Sequence, residues 1–288
     1  MTLADTLISH HRDESAEIDT LIGRLLEAQL SAAGFLHGAQ PDPQHRRWLT
    51  TALELLAARE PAPGQGAVEG ARAPALGEAW QAWEDAKRRW SGTGRYVAHA
   101  RLAEACLRAL PEILGGARRA TDVMFADGSM ALMEAVYRNN PNADLLNGMV
   151  GDTLTAYVRA RLAREPGVEL RILEIGAGTG GTTATVLPRL APFGASIAEY
   201  AYTDVSRAFL EHAEAHFRPQ FPFVKPALFD VSRPLDGQSI RAAHYDVAIA
   251  ASVLHATSSI RTALRNAKAA LRARGLLVLS EILSLIHI

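Results

Sequence analysis

Cysteine is almost missing from this chain of 288 residues, and lysine is scarce. The single cysteine, Cys106, excludes an intrachain disulfide and any zinc site built from cysteines. Lysine contributes only three of the 30 basic side chains, an arginine bias that points to GC-rich bacterial coding more than to function. Net charge is also missing: 30 basic against 31 acidic residues leave −1, so electrostatics offers no case for nucleic acid or an anionic membrane as partner. No apolar run reaches the length of a membrane span and no signal peptide is recognisable, so the expected location is cytoplasmic. His212 and His216 stand at i and i+4, a spacing that can hold zinc, but no third ligand lies near them in the sequence and no metal is expected.

What is present suffices for a sizeable core, in one large domain or two small ones. Residues 1 to 58 are helical in pattern, with Leu21, Leu25, Leu26 and Leu30 spaced for one face. Residues 59 to 75, crowded with proline, glycine and alanine, read as a linker. Residues 76 to 144 read as a helical lid, including a stretch from about 97 to 115, and 145 to 282 as a cofactor-binding core. Trp80, Trp83 and Trp90 can line a substrate channel, but their helical spacing favours packing.

Chemistry concentrates in L-E-I-G-A-G-T-G-G, residues 173 to 181. Residues 171 to 175 read as a buried strand and 182 to 190 as the following helix, which puts the glycines in the strand-to-helix turn of a doubly wound α/β sheet. Glycines there let a nucleoside cofactor lie against the backbone. Gly176, Gly178 and Gly181 also satisfy the dinucleotide fingerprint, so an NAD enzyme is an alternative at this point. Glu174 weighs against it: a carboxylate there can accept from the ammonium of S-adenosylmethionine, but it repels a pyrophosphate. A second strand, 200 to 203, ends at Asp204, placed to take ribose hydroxyls of either nucleotide. A third, 227 to 229, ends at Asp230, placed for an adenine amino group, and a fourth, 245 to 251, runs into S-V-L-H-A-T.

These segments, I-L-E-I-G-A-G-T-G-G-T-T (172 to 183), Y-T-D-V-S (202 to 206), Y-D-V-A-I-A (245 to 250) and V-L-H-A-T (253 to 257), resemble the C-methyltransferase domains of modular polyketide synthases, particularly of trans-acyltransferase assembly lines. A-T-D-V-M-F (120 to 125) and E-A-V-Y-R-N-N (134 to 140) look like the lid of the same domains. The resemblance implies a Rossmann-like class I methyltransferase core behind a helical lid. Its cofactor is S-adenosyl-L-methionine, bound by Glu174, Gly176, Gly178, Gly180, Asp204, Asp230 and Ser252. It implies α-carbon methylation of a β-ketoacyl thioester carried on the phosphopantetheine of an acyl carrier protein, within a larger set of synthase domains. The histidine matching the family's base is His255, the orienting carboxylate is Glu281 after the strand 276 to 280, and Tyr137 and Asn140 stand near the thioester. A histidine suits the reaction because the proton between a ketone and a thioester is acidic enough for a neutral imidazole.

Each assignment has a plainer counterpart. His255 can be a satisfied strand-end histidine, Glu281 a solvated charge, and Tyr137 to Asn140 an ordinary helix end before Pro141. Ser252 stands where the family commonly has asparagine; it can exchange one hydrogen bond but not reproduce both ends of an amide. Other enzymatic readings are an O- or N-methyltransferase of a small molecule, and outside enzymes stands a silent scaffold domain of a synthase. Residues 283 to 288, L-S-L-I-H-I, match the translated end of a common sequencing transposon. They are expected to be a non-native tail, leaving the sheet truncated at its C-terminal side.

Overall fold

The structure, a computed structural model, describes residues 3–58, 74–92, 96–139 and 141–281. Most of the expected linker, Asn140 and the terminal hexapeptide lie outside the described residues. The chain falls into two compact units divided between Val136 and Tyr137.

The first unit is helical: α1 (Leu3–Ala32), α2 (Arg46–Ala57), α3 (Leu76–Trp90), α4 (Val97–Leu114), α5 (Ala120–Met124) and α6 (Ala131–Tyr137), the last ending at the division. Leu21, Leu25, Leu26 and Leu30, one face of α1, are all buried in a cluster with Trp83 and Trp90. The two indoles meet edge to face at 5.6 Å, and their N–H groups donate to Glu104 and Glu17, so their polar atoms are satisfied inside a packed core. Trp80 is half-buried, with the Arg108 guanidinium 4.0 Å over its ring. The three tryptophans are therefore packing residues of this unit.

The second unit alternates helix and strand: α7 (Pro141–Arg164), β1 (Leu170–Ile175), α8 (Gly181–Leu190), β2 (Ile197–Asp204), α9 (Arg207–His216), β3 (Val224–Leu228), β4 (Tyr245–Ala251), α10 (Ile260–Ala270) and β5 (Leu271–Ser280). All pairings are parallel, in the order β3-β2-β1-β4-β5. Alternate residues feed two cores. Ile172, Tyr200 and Val247 pack with α7 and α8, whereas Leu173, Ala201 and Ala248 pack with α10. Both faces are covered, which explains why β1 and β4 carry apolar residues on both, interrupted by Arg171, Glu174 and Asp246. Because β2 and β4 flank β1 and lead away in opposite directions, the crevice beyond the carboxyl ends of β1 and β4 is the topological switch point, where such sheets hold ligands.

Three strands differ from the sequence expectation, β2 by beginning at Ile197 rather than at 200. β3 begins at Val224 and stops before Phe229, because Lys225 and Pro226, which read as loop, are tolerated at the sheet margin. β5 begins at Leu271, before the apolar run, and the Arg272 guanidinium reaches across to Asp246 on β4 at 3.0 and 3.2 Å. No helix among the described residues is long and apolar enough to cross a membrane.

Candidate active site

After Ile175 the chain turns through Gly176, Gly178 and Gly180, all at positive φ, and enters α8. Packing as well as conformation demands glycine at Gly176, because an added β-carbon would lie 2.7 Å from both methyls of Val253. Gly178 differs. Nothing but the Gly176 carbonyl oxygen, at 3.9 Å, comes near its missing side chain, so it fronts open space. The loop is tied from behind: the Tyr202 hydroxyl donates to the Gly178 carbonyl at 2.5 Å, and the Gly178 amide donates to Asp204 at 3.0 Å. Asp204 also accepts from the Ser206 amide at 2.9 Å, and its remaining lone pairs are available to further donors.

Glu174, the penultimate residue of β1, is only 2% exposed. Its Oε2 accepts from the Thr183 hydroxyl at 2.6 Å and the Tyr200 hydroxyl at 2.7 Å. Among the described residues no cation pairs with it, and burial lifts its carboxyl to about 7. Burial and this neighbouring acid push the Tyr200 phenol well up.

At the ends of β4 and β5, the Ser252 amide donates to the Ser280 carbonyl at 2.7 Å, with Ser252 itself in the left-handed region at φ 56. The chain then wraps around one carboxylate. Glu281 Oε1 accepts from the amides of Val253, at 3.1 Å, and Leu254, at 2.8 Å, while Oε2 lies 2.5 Å from His255 Nδ1. Both side chains are largely buried. With Nδ1 holding the proton toward Glu281, the imidazole lone pair resides on Nε2. Burial, and then the charge of Glu281, push the Tyr137 hydroxyl up, so this phenol lies within electrostatic reach of the same carboxylate.

The remaining assignments fall as follows. Asp230 is two residues past β3; its Oδ1 accepts from the Ser232 amide and hydroxyl at 2.9 and 2.5 Å, while Gln238 brackets its backbone. Asn140 lies outside the described residues. His212 and His216 stack at 4.2 Å on α9, with His216 Nδ1 2.9 Å from the His212 carbonyl. Among the described residues no cluster of His, Cys, Asp and Glu is arranged to hold a metal.

Thr182 was not singled out by sequence reasoning, and Asn147 only as the end of a segment, 144 to 147, read as pairing the lid to the cofactor edge. Asn147, buried on α7, donates to the Tyr137 carbonyl at 3.0 Å and accepts from the Thr182 hydroxyl at 2.8 Å. Both ends of one amide thus tie the Tyr137 peptide and the first turn of α8 together within the second unit. Their sequence signal is slight, since polar residues on a helix pattern read as solvated.

Residues 173–277 match the methyltransferase domain family. The polyketide synthase PksR of Bacillus subtilis is 42% identical over 270 residues, which are 92% of this chain and 11% of that protein. The chain therefore spans a small part of the curated relatives it matches. Among solved structures, the DszA carbon methyltransferase is 30% identical with a TM-score of 0.83, covering 100% of this chain and 76% of that one. The chain belongs to the carbon methyltransferase domains of polyketide synthases.

The domain is an S-adenosylmethionine-dependent methyltransferase. The trans-methyltransferase CalH, 26% identical with a TM-score of 0.67 over 94% of this chain and 71% of that one, was solved as a complex with SAH. The residues present fit such a cofactor. The Gly178 face is open, the Asp204 carboxylate has accepting capacity left, and Glu174 is a buried acid without a countercharge among the described residues. A pyrophosphate would place more negative charge beside that acid, which disfavours a dinucleotide.

Proposed function

We propose that this domain methylates the α-carbon of a β-ketoacyl thioester presented on the phosphopantetheine arm of an acyl carrier protein. The observation that carries the reading is the His255 and Glu281 pair, held at 2.5 Å and fixed from behind by two backbone amides. A carboxylate so anchored sets one ring orientation and one tautomer, leaving Nε2 as the basic atom. His255 Nε2 takes the α-proton, and Glu281, acting as a positioning residue, stabilises the imidazolium that forms. When bound, S-adenosylmethionine supplies a sulfonium methyl to the resulting carbanion and leaves as the neutral thioether. Glu174 would hold the cofactor ammonium, the glycine turn its methionyl backbone, Asp204 the ribose and Asp230 the adenine. Ser252 borders that site, and Tyr137, within electrostatic reach of Glu281, would line the thioester side together with Asn140. No covalent help from the protein is needed; rate comes from positioning and from excluding water. The domain would work beside other synthase domains, in the cytoplasm, a location consistent with its single cysteine.

Incubation with S-adenosylmethionine and an acetoacetyl-loaded carrier protein tests this, the acyl arm being read by mass spectrometry. A gain of one methylene mass, absent in His255→Ala, supports carbon methylation. Cofactor binding without that gain overturns it and points to another acceptor or a silent domain.

A further inference from the structure

We propose that Arg138 is the cation that receives the α-carboxylate of the bound cofactor, an inference that rests on the cofactor lying along the glycine turn.

The placement comes from Tyr137. Its carbonyl carbon and oxygen press against Gly181, the first residue of α8, with the oxygen 2.6 Å from where a β-carbon would stand. The peptide that opens Arg138 is therefore at the exit of the glycine turn. Asn147 holds that peptide in place by donating to the Tyr137 carbonyl. Asn139 follows with φ 60, and its amide donates to Asp144 at 3.1 Å, so that carboxylate is turned to a backbone group.

The need for a partner comes from Arg138 itself. Its Nε is buried and makes no hydrogen bond, and among the described residues no hydrogen bond or ion pair engages its guanidinium. An unpaired buried donor on a charged group is costly enough that such groups normally have an anion. Among the described residues none of the site's own acids bonds to it. Glu174 accepts from Thr183 and Tyr200, Asp204 from Gly178 and Ser206, and Glu281 from Val253, Leu254 and His255.

The cofactor supplies what is missing. Its methionyl end carries an ammonium and a carboxylate, and a site with acids alone can pair with only the first. A guanidinium presents two parallel N–H groups to a carboxylate, a geometry an ammonium cannot offer. The amide end of α8, directly beside Tyr137, adds potential of the same sign.

Calorimetric titration with two probes separates the possibilities: S-adenosylhomocysteine, and 5′-methylthioadenosine, which keeps the adenosine and sulfur but lacks the amino acid end. Arg138→Met is expected to weaken the first roughly 10- to 100-fold and leave the second unchanged. Arg138→Lys should fall between. It also guards against a misfolded methionine variant, because the ratio of the two affinities is read on each folded protein. Equal loss for both probes, or loss for neither, overturns the assignment. Weakened binding of free 4′-phosphopantetheine, with S-adenosylhomocysteine unaffected, overturns it too and transfers Arg138 to the carrier arm. Failure of the unmodified domain to bind S-adenosylhomocysteine would overturn the cofactor reading itself.

Discussion

Val253 fills the space that a β-carbon on Gly176 would need, with both methyls 2.7 Å from that position. The first glycine of the cofactor turn after β1 and the histidine-bearing turn after β4 are thus one packing unit. Gly176→Ala is expected to destabilise the domain by about 2 kcal/mol or more, since positive φ and overpacking act together. Much of the steric part should return in Gly176→Ala with Val253→Ala, giving a coupling of about 1 kcal/mol in a urea-unfolding cycle. Strict additivity would show that the two turns are independent.

Ser252 adopts φ 56, a conformation that serine populates less readily than asparagine or glycine. The bond that holds this residue, from its amide to Ser280, is made by backbone, so the side chain can change without breaking it. Ser252→Asn should raise stability by about 0.5–1 kcal/mol, visible as a higher melting temperature. An unchanged or lower value would mean that the serine hydroxyl compensates for its backbone.

The doubly wound α/β class, the glycine turn and the histidine turn were legible because each depends on local pattern: apolar strands alternating with helices, then a residue type that the turn demands. What escaped depends on contacts between distant segments. The buried face of α7 includes Asn142, Asn147 and Gly151 beside Val150, Leu154 and Val158, so no apolar stripe marks it. Gly151 is small because the Arg189 side chain of α8 lies 2.6 Å from where its β-carbon would be. The start of β5 was hidden for a related reason. Arg272 reads as a surface charge, and only the fold places the nearly buried Asp246 opposite it. At the site, Glu174 was visible beside the glycines, but the Thr183 and Tyr200 hydroxyls that hold it come from an adjacent helix and strand.

Glu281 offers a test that separates geometry from charge. Glutamine in its place keeps an oxygen for the Val253 and Leu254 amides but turns an N–H₂ toward His255 Nδ1, moving the ring proton to Nε2. Glu281→Gln should lower kcat for methyl transfer roughly 10²- to 10⁴-fold, with melting temperature and S-adenosylhomocysteine affinity nearly unchanged. A loss in cofactor affinity of the same size would make Glu281 a structural residue.

Glu174 should make the ligand-free domain lose stability as pH rises. Its ordinary value is 4.5 and burial raises it to about 7 in the fold, the hydrogen bonds from Thr183 and Tyr200 offsetting only part of that. Between these values the native protein holds a proton that the unfolded chain has released, so stability declines from near 4.5 to about 7 and levels off above. The full effect is on the order of 3 kcal/mol. Asp204, also raised by burial, acts in the same direction. Other groups titrate in this window, so the measurement is the difference between the domain and its Glu174→Gln variant, unfolded in urea at several pH values from 5 to 8. Bound cofactor brings an ammonium to the ionised carboxylate, so saturation with S-adenosylhomocysteine should shrink that difference, and its affinity should rise over the same interval. Parallel stability curves for the two proteins would mean that Glu174 is ionised throughout and already has a countercharge.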